Sequence, residues 1–316
     1  MFISKCDAET ISSAAKVLKE GNLVAFPTET VYGLGADAEN PDAVKRIYEV
    51  KGRPSDHPLI VHISEIQDLE TWATNISDYA IKLARDFWPG PMTLVLQRKN
   101  AKDFITGGQD TVGIRMPAQQ IALSLIKEFQ NLGGHGIAAP SANKFGAVSP
   151  TTALAVQEEI GDRLEANDQI LDGGPCLVGL ESTIIDCTGT APRILRPGAI
   201  TAEMIEESTL MKMKDREEII RVSGALEQHY SPCAQVFTEG ETKDGDGFIA
   251  LANIPTPPGA IRIASPNSIE EFARVLYQSL RDVDSKGLSR VKVISPSGSG
   301  LADAIRDRLK RAAAGR

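Results

Sequence analysis

The sequence has no apolar run near the roughly 18 residues that an α-helical membrane span requires. It also has no C-x-x-C pair. Cys6, Cys176, Cys187 and Cys233 lie far apart, which argues against a zinc site or a disulfide framework and predicts reduced, mostly buried thiols. The stretch MFISKCDAET lacks a basic segment followed by an apolar core and a small-residue cleavage site, so no secretory signal is read there and a cytoplasmic protein with no membrane attachment is expected. Positive charge is in deficit, with 34 Lys and Arg against 42 Asp and Glu. Global attraction to polyanions is therefore excluded, and any contact with nucleotide or nucleic acid has to rest on a local cationic pocket. Neither G-x-x-x-x-G-K-[ST] nor G-x-G-x-x-G occurs, so the two familiar glycine-loop phosphate cradles are absent.

With 42% hydrophobic and 24% charged residues the chain can bury a proper core and reads as soluble and globular. Its 316 residues exceed the size at which single cores stop growing, about 250–300 residues, so two unequal domains are expected. Ile11, Ala14, Ala15, Val17 and Leu18 recur at helical spacing before a glycine stop at Gly21. A strand Leu23–Phe26 follows, and then strands at 59–63, 93–96, 112–116 and 136–139 alternate with helices at 40–48, 78–87 and 119–129. Alternation of this kind predicts an α/β sheet. From about Glu206 to Gln235 the sequence turns polar and charged, which predicts a linker. Strands at 248–251, 261–264 and 291–295, a capping-box helix from Ser268 and a last helix from Leu301 then predict a small Rossmann-like α/β domain. The predicted division is 1–208, a linker or lid at 209–235, and 236–316.

Several segments of the larger domain place polar groups at strand ends. PTETVYGLG follows the first strand with hydroxyls, a carboxylate and glycines, which suits either a polar ligand or a tight turn that satisfies itself. Lys51 and Arg53 could clamp phosphates or simply oppose a helix dipole, although the flanking prolines stiffen the loop beyond what a plain helix end needs. His62 sits on an apolar strand, where a satisfied core histidine is the ordinary occupant. Arg115 lies inside the apolar strand TVGIRMP and needs an anion, either an internal acid or a ligand's carboxylate or phosphate. Ala138–Asn143 and Ser149-Pro150-Thr151 form small, hydroxyl-rich turns, the second opening a helix that Ser149 or Thr151 could cap. GLEST and ILRPG again bring a hydroxyl and a cation to strand ends. In the linker, Gln228-His229-Tyr230-Ser231-Pro232 is an aromatic island that could fold over a purine or anchor the linker locally. Gly298-Ser299-Gly300 suits a tight turn better than a phosphate site.

Taken in order, PTETVYGLG, KGRP with PLIVH, WPGPMTLVL, TVGIRMP, APSAN, DGG, ESTI and LRPG resemble the YrdC-type threonylcarbamoyl-adenylate synthases over about residues 9–200. HYSP and the extra α/β domain are similar to the longer, two-domain form of that family. The resemblance implies a twisted mixed sheet with a cationic concave face, and a nucleotidyltransferase that joins L-threonine, bicarbonate and ATP into threonylcarbamoyl-AMP and pyrophosphate. That product supplies tRNA N6-threonylcarbamoyladenosine. Carried over, Thr30, His62, Arg115 and Ser182 hold threonine, while Lys51, Arg53, His57, Thr111, Ser141, Asn143, Ser149 and Arg196 hold the nucleotide and Tyr230 closes over it. Lys51, Arg53 and Arg115 are the implied catalytic cations. Mg²⁺ rides on the phosphates, with no protein side chain assigned to it. The implied partners are the tRNA threonylcarbamoyl-transfer machinery and a weak RNA contact. Three positions depart from the family's habit: His57 stands where asparagine is usual, Ser223-Gly224 where Pro-Gly is common, and Ser231 where alanine is common. A non-catalytic RNA-binding or ribosome-assembly factor on the same fold is the main alternative, separable by threonine- and bicarbonate-dependent pyrophosphate release. The related hydrogenase-maturation carbamoyltransferase brings zinc-finger cysteine pairs, which this sequence lacks.

Overall fold

A computed structural model describes residues 2–214, 220–222, 224 and 230–315; Ser223, Gln228 and His229 lie outside the described residues. The first part of the chain runs β1 (Ile3–Lys5), α1 (Ala8–Lys19), β2 (Val24–Phe26), β3 (Gly33–Asp37), α2 (Pro41–Lys51), β4 (Ile60–His62), α3 (Leu69–Trp72), β5 (Ala73–Thr74), α4 (Asp78–Phe87) and β6 (Met92–Arg98). It continues with α5 (Asp103–Thr106), β7 (Thr111–Arg115), α6 (Gln120–Asn131), β8 (Ile137–Ala138), α7 (Ala153–Ile160), β9 (Gln169–Asp172), β10 (Thr183–Asp186), β11 (Arg193–Arg196) and α8 (Ala202–Thr209). The second part holds β12 (Gln235–Phe237), β13 (Gly247–Ile249), β14 (Ile261–Ala264), α9 (Ile269–Ser285), β15 (Arg290–Val293) and α10 (Leu301–Ala313).

The local signals act as their chemistry requires. Asn40 accepts from the backbone N–H groups of Asp42 and Ala43 with Pro41 in the first turn, and Gly52 ends α2 at φ +62°. Ser268 caps α9 by accepting from Glu271 N. Eleven strands form one mixed sheet in the order β1-β9-β2-β3-β8-β4-β7-β6-β10-β11, with β5 on β6. The second sheet, β12-β15-β13-β14, is parallel throughout.

Two expectations are corrected. The glycine-rich end of PTETVYGLG is not a turn: Gly33–Asp37 is β3, antiparallel to β2 and β8. Its glycines serve close packing, since a Cβ on Gly35 would lie 2.8 Å from both Ile137 and Phe26. The cap of α7 is Thr152, which accepts from Ala155 N, rather than Ser149 or Thr151. Of the four thiols, all free, Cys176 and Cys187 are buried, Cys6 is partly so and Cys233 is exposed. Among the described residues no helix is long and apolar enough to cross a membrane.

Loop residues of the first part join the apolar core of the second sheet. Val31, Val148 and Leu180 from the first part pack with Tyr230, Phe272, Leu276 and Tyr277. Gly179 lets α9 come close, because a Cβ there would fall 2.5 Å from the Cα of Arg274. The linker contributes to both sides: Val222 packs with Val95, Ile184 and Leu195.

Candidate active site

Strand ends from the large sheet converge on a cleft lined by Thr28, His62, Arg115, Ser141, Glu181, Ser182, Arg196 and Tyr230, among others. Its geometry follows from register. Parallel pairing sets His62 of β4 against Arg115 of β7, and the antiparallel pair β10–β11 returns Arg196 beside Ser182.

Arg115 has its anion inside the protein. Its Nη2 donates to Glu29 Oε1 at 2.6 Å, and Glu29 Oε2 accepts from Ala118 N at 2.9 Å, both side chains being buried. The internal acid therefore answers the question left open by the sequence, yet it does not exhaust the guanidinium: Arg115 Nε is buried without a partner. A buried charged donor left unsatisfied is costly enough to call for a ligand acceptor.

His62 stands beside it as a neutral ring. Burial, reinforced by the Arg115 charge, pushes its pKa down to about 3; Nδ1 lies 3.2 Å from Ile60 O and the ring meets Phe26 edge-on. Because the folded pKa is depressed, the unfolded chain binds a proton below about pH 6.5 that the folded chain refuses, so the stability is present above that pH and lost on acidification. The loss from this residue is about 1.4 kcal/mol per pH unit below pH 6.5. Thermal unfolding from pH 7 to 5 is expected to fall more steeply for the wild type than for His62→Gln, and parallel curves would refute this account.

Thr30 is buried beneath the cleft with its Oγ1 2.8 Å from Thr28 Oγ1, and it is Thr28 that reaches the lining. Arg196 donates from Nε and Nη2 to Ser182 O at 3.1 and 2.9 Å and from Nη2 to Ser182 Oγ at 3.1 Å, while Ser182 Oγ is 2.8 Å from Thr93 Oγ1. Lys51 Nζ donates to Ser141 O at 2.6 Å and to Asn143 O, so its ammonium ties the APSAN loop to the end of α2. Burial, and then Arg53, pull the Lys51 pKa well below that of an ordinary lysine. Arg53 donates to Pro58 O at 2.9 Å; burial brings its pKa down to about 10, with Arg196 contributing in the same direction. Arg53 is thus an electrostatic neighbour of both Lys51 and Arg196.

Asn143 donates to Lys144 O and Ala147 O, leaving a buried Oδ1 without a partner. His57 meets Phe145 edge-on at 5.4 Å, and burial followed by the Arg53 charge lowers its pKa. Thr111 lies in an adjoining recess with Pro58, Ile60, Gln109 and Val222, over which Gln109 makes two hydrogen bonds to the Arg221 backbone, at 3.0 and 2.8 Å. Ser149 donates to Glu181 Oε1 at 2.7 Å. Tyr230 is only 1% exposed, stacked on Tyr277 at 5.5 Å with the Arg308 guanidinium 5.3 Å from its ring.

Most sequence-predicted residues thus meet in or beside one cleft. Reasoning from the sequence did not single out Thr28, Glu29 or Glu181. Glu29 carried a signal, since an arginine buried in a strand needs an acid and PTET supplies one at another strand end. Glu181 carried none, because its cation, Arg308, comes from the far end of the chain. Among the described residues no group of three or more His, Cys, Asp or Glu side chains could hold a metal ion.

Two family models match successive stretches of the chain. The family model described as telomere recombination, covering Sua5, YciO and YrdC, matches residues 16–198, and that described as the threonylcarbamoyl-AMP synthase C-terminal domain matches residues 200–314. The chain is 40% identical to the threonylcarbamoyl-AMP synthase of Pyrococcus abyssi across 96% of this chain and 93% of that one. It is 39% identical to the enzyme of the same name from Bacillus subtilis, across 97% and 93%. A crystal structure of P. abyssi Sua5 complexed with L-threonine superposes with a TM-score of 0.88 at 37% identity, covering 99% of this chain and 98% of that one.

Proposed function

The chain belongs to the threonylcarbamoyl-AMP synthase family in its two-domain form, and we propose from this premise how its cleft joins L-threonine to ATP. It is an enzyme of nucleotidyltransferase type whose product is threonylcarbamoyl-AMP, an intermediate of tRNA processing. The observation that carries the site assignment is the partnerless Nε of Arg115, beside neutral His62 and across from Ser182 and Arg196. Arg115 offers this donor to the threonine carboxylate; Glu29 holds the guanidinium in place and Thr30, His62 and Ser182 complete the subsite. Lys51, Arg53, His57, Thr111, Ser141, Asn143, Ser149 and Arg196 form the nucleotide side, giving the large sheet a cationic concave face, and Tyr230 closes over it.

The threonine amine combines with bicarbonate to give a carbamate, releasing water. A carbamate oxygen attacks the α-phosphorus of ATP in line, and the bond from that phosphorus to the α,β-bridging oxygen breaks as pyrophosphate leaves. Two anions must meet, so the work of Lys51, Arg53, Arg115 and Arg196 is to neutralise and position them rather than to move protons. Neither carboxylate in or beside the cleft is offered as a base: Glu29 is committed to Arg115 and Glu181 to Arg308. For the same reason Mg²⁺ enters with ATP on phosphate oxygens, as part of the substrate. The intermediate then passes to the tRNA threonylcarbamoyl-transfer machinery in the cytoplasm, with at most a weak RNA contact by this acidic chain.

The test is pyrophosphate release in the presence of ATP, bicarbonate and each amino acid in turn. Threonine is expected to support turnover and the others not; turnover with another amino acid instead would overturn the substrate assignment. Tyr230→Ala is expected to leave threonine binding in place but shorten the lifetime of the product, followed as AMP appearance after a single turnover. An unchanged lifetime would remove the closing role of Tyr230.

A further inference from the structure

Glu181 is a buried carboxylate on the cleft wall, next in sequence to Ser182, and it shares that wall with Arg196. An acid there works against a site built to receive a triphosphate, because Arg196 is a natural partner for it. The structure places three donors on Glu181 instead. Oε1 accepts from Ser149, and Oε2 accepts from the Tyr277 hydroxyl at 2.8 Å and from Arg308 Nε at 2.9 Å. Tyr277 and Arg308 come from α9 and α10 of the second domain. Arg308 also donates from Nη2 to Pro197 O at 3.0 Å. One guanidinium from the second domain thus grips the residues immediately beside Ser182 and Arg196. The electrostatics agree: burial alone would raise the Glu181 pKa, but Arg308 first and Arg196 second hold it down at about 2, so both cations compete for one anion.

We propose that Arg308 is a positioning residue for adenylation: by capturing Glu181 it keeps that carboxylate from neutralising Arg196, so that the Arg196 charge acts on the ATP phosphates. The second domain then contributes to catalysis without touching substrate. This rests on the functional reading above, in which Arg196 belongs to the nucleotide side. Removing Arg308 turns Glu181 towards Arg196 and weakens ATP; removing the charge of Glu181 as well restores it.

The experiment compares the full-length wild type, Arg308→Met, Glu181→Gln and the double variant, reading the dependence of pyrophosphate release on ATP and on threonine separately, with thermal midpoints alongside. Arg308→Met is expected to raise KM for ATP about 10-fold or more while KM for threonine stays within about 3-fold, and the double variant is expected to return KM for ATP to within about 3-fold of wild type. A double variant as poor as Arg308→Met overturns the proposal. If Arg308→Met does not fold, Glu181→Gln decides, since the amide keeps the shape and can still accept a hydrogen bond. Unchanged or tighter ATP dependence supports charge capture, and a rise of about 10-fold means that Glu181 serves ATP directly and overturns it. A wild type without threonine-dependent turnover would instead sink the functional reading itself.

Discussion

Replacing Arg115 with methionine is expected to lower kcat/KM for threonine by about 100- to 1000-fold, the cost of removing one partner of a buried, charge-assisted pair. The same change leaves Glu29 buried without its cation, so stability should fall as well, by about 3–5 kcal/mol. The two effects are separable. Glu29→Gln in the Arg115→Met background removes the stranded charge and should recover most of the thermal midpoint, but it cannot recover a donor for the threonine carboxylate. Steady-state pyrophosphate release and thermal unfolding of the single and double variants check this, and a double variant that regains activity would show that Arg115 serves Glu29 alone.

Lys51→Met is the second large effect. The ammonium is fully enclosed and donates to the carbonyls of Ser141 and Asn143, which belong to the loop that follows β8. Methionine fills the space but donates nothing, stranding two buried carbonyls at about 1–3 kcal/mol each. The loop should loosen with them, and the affinity for ATP is expected to fall about 10- to 100-fold while threonine affinity changes little, since the threonine side rests on β4, β7 and β10. Isothermal titration with ATP and with threonine separately reads the split. Equal losses for both ligands would mean that Lys51 holds the whole cleft rather than its nucleotide half.

The α/β class, the two sheets and most helices could be read from periodicity and caps, as at Asn40-Pro41 and Ser268, where a local signal and the fold agree. β3 could not, because its glycines look like a turn; only the close approach of Phe26 and Ile137, one of them over a hundred residues away, explains them. The cap at Thr152 was hidden for the opposite reason. Ser149, the better-looking cap, is drawn off by Glu181, a long-range partner that local reasoning cannot see. The same limit applies to the site. Arg115, His62, Ser182 and Arg196 stand out as polar residues at strand ends, whereas Glu181 becomes intelligible only once α10 brings Arg308 to it.

The strand order carries a kinetic consequence. β9 lies between β1 and β2, with Ile3 opposite Ile170 and Val24 opposite Gln169, so the earliest strands find their neighbour only after most of the larger domain has been traversed. Contacts of such long range are entropically late and make for slow refolding. Until they form, β1 and the outer edge of β2 present open backbone, so dilute conditions should favour recovery from denaturant over aggregation.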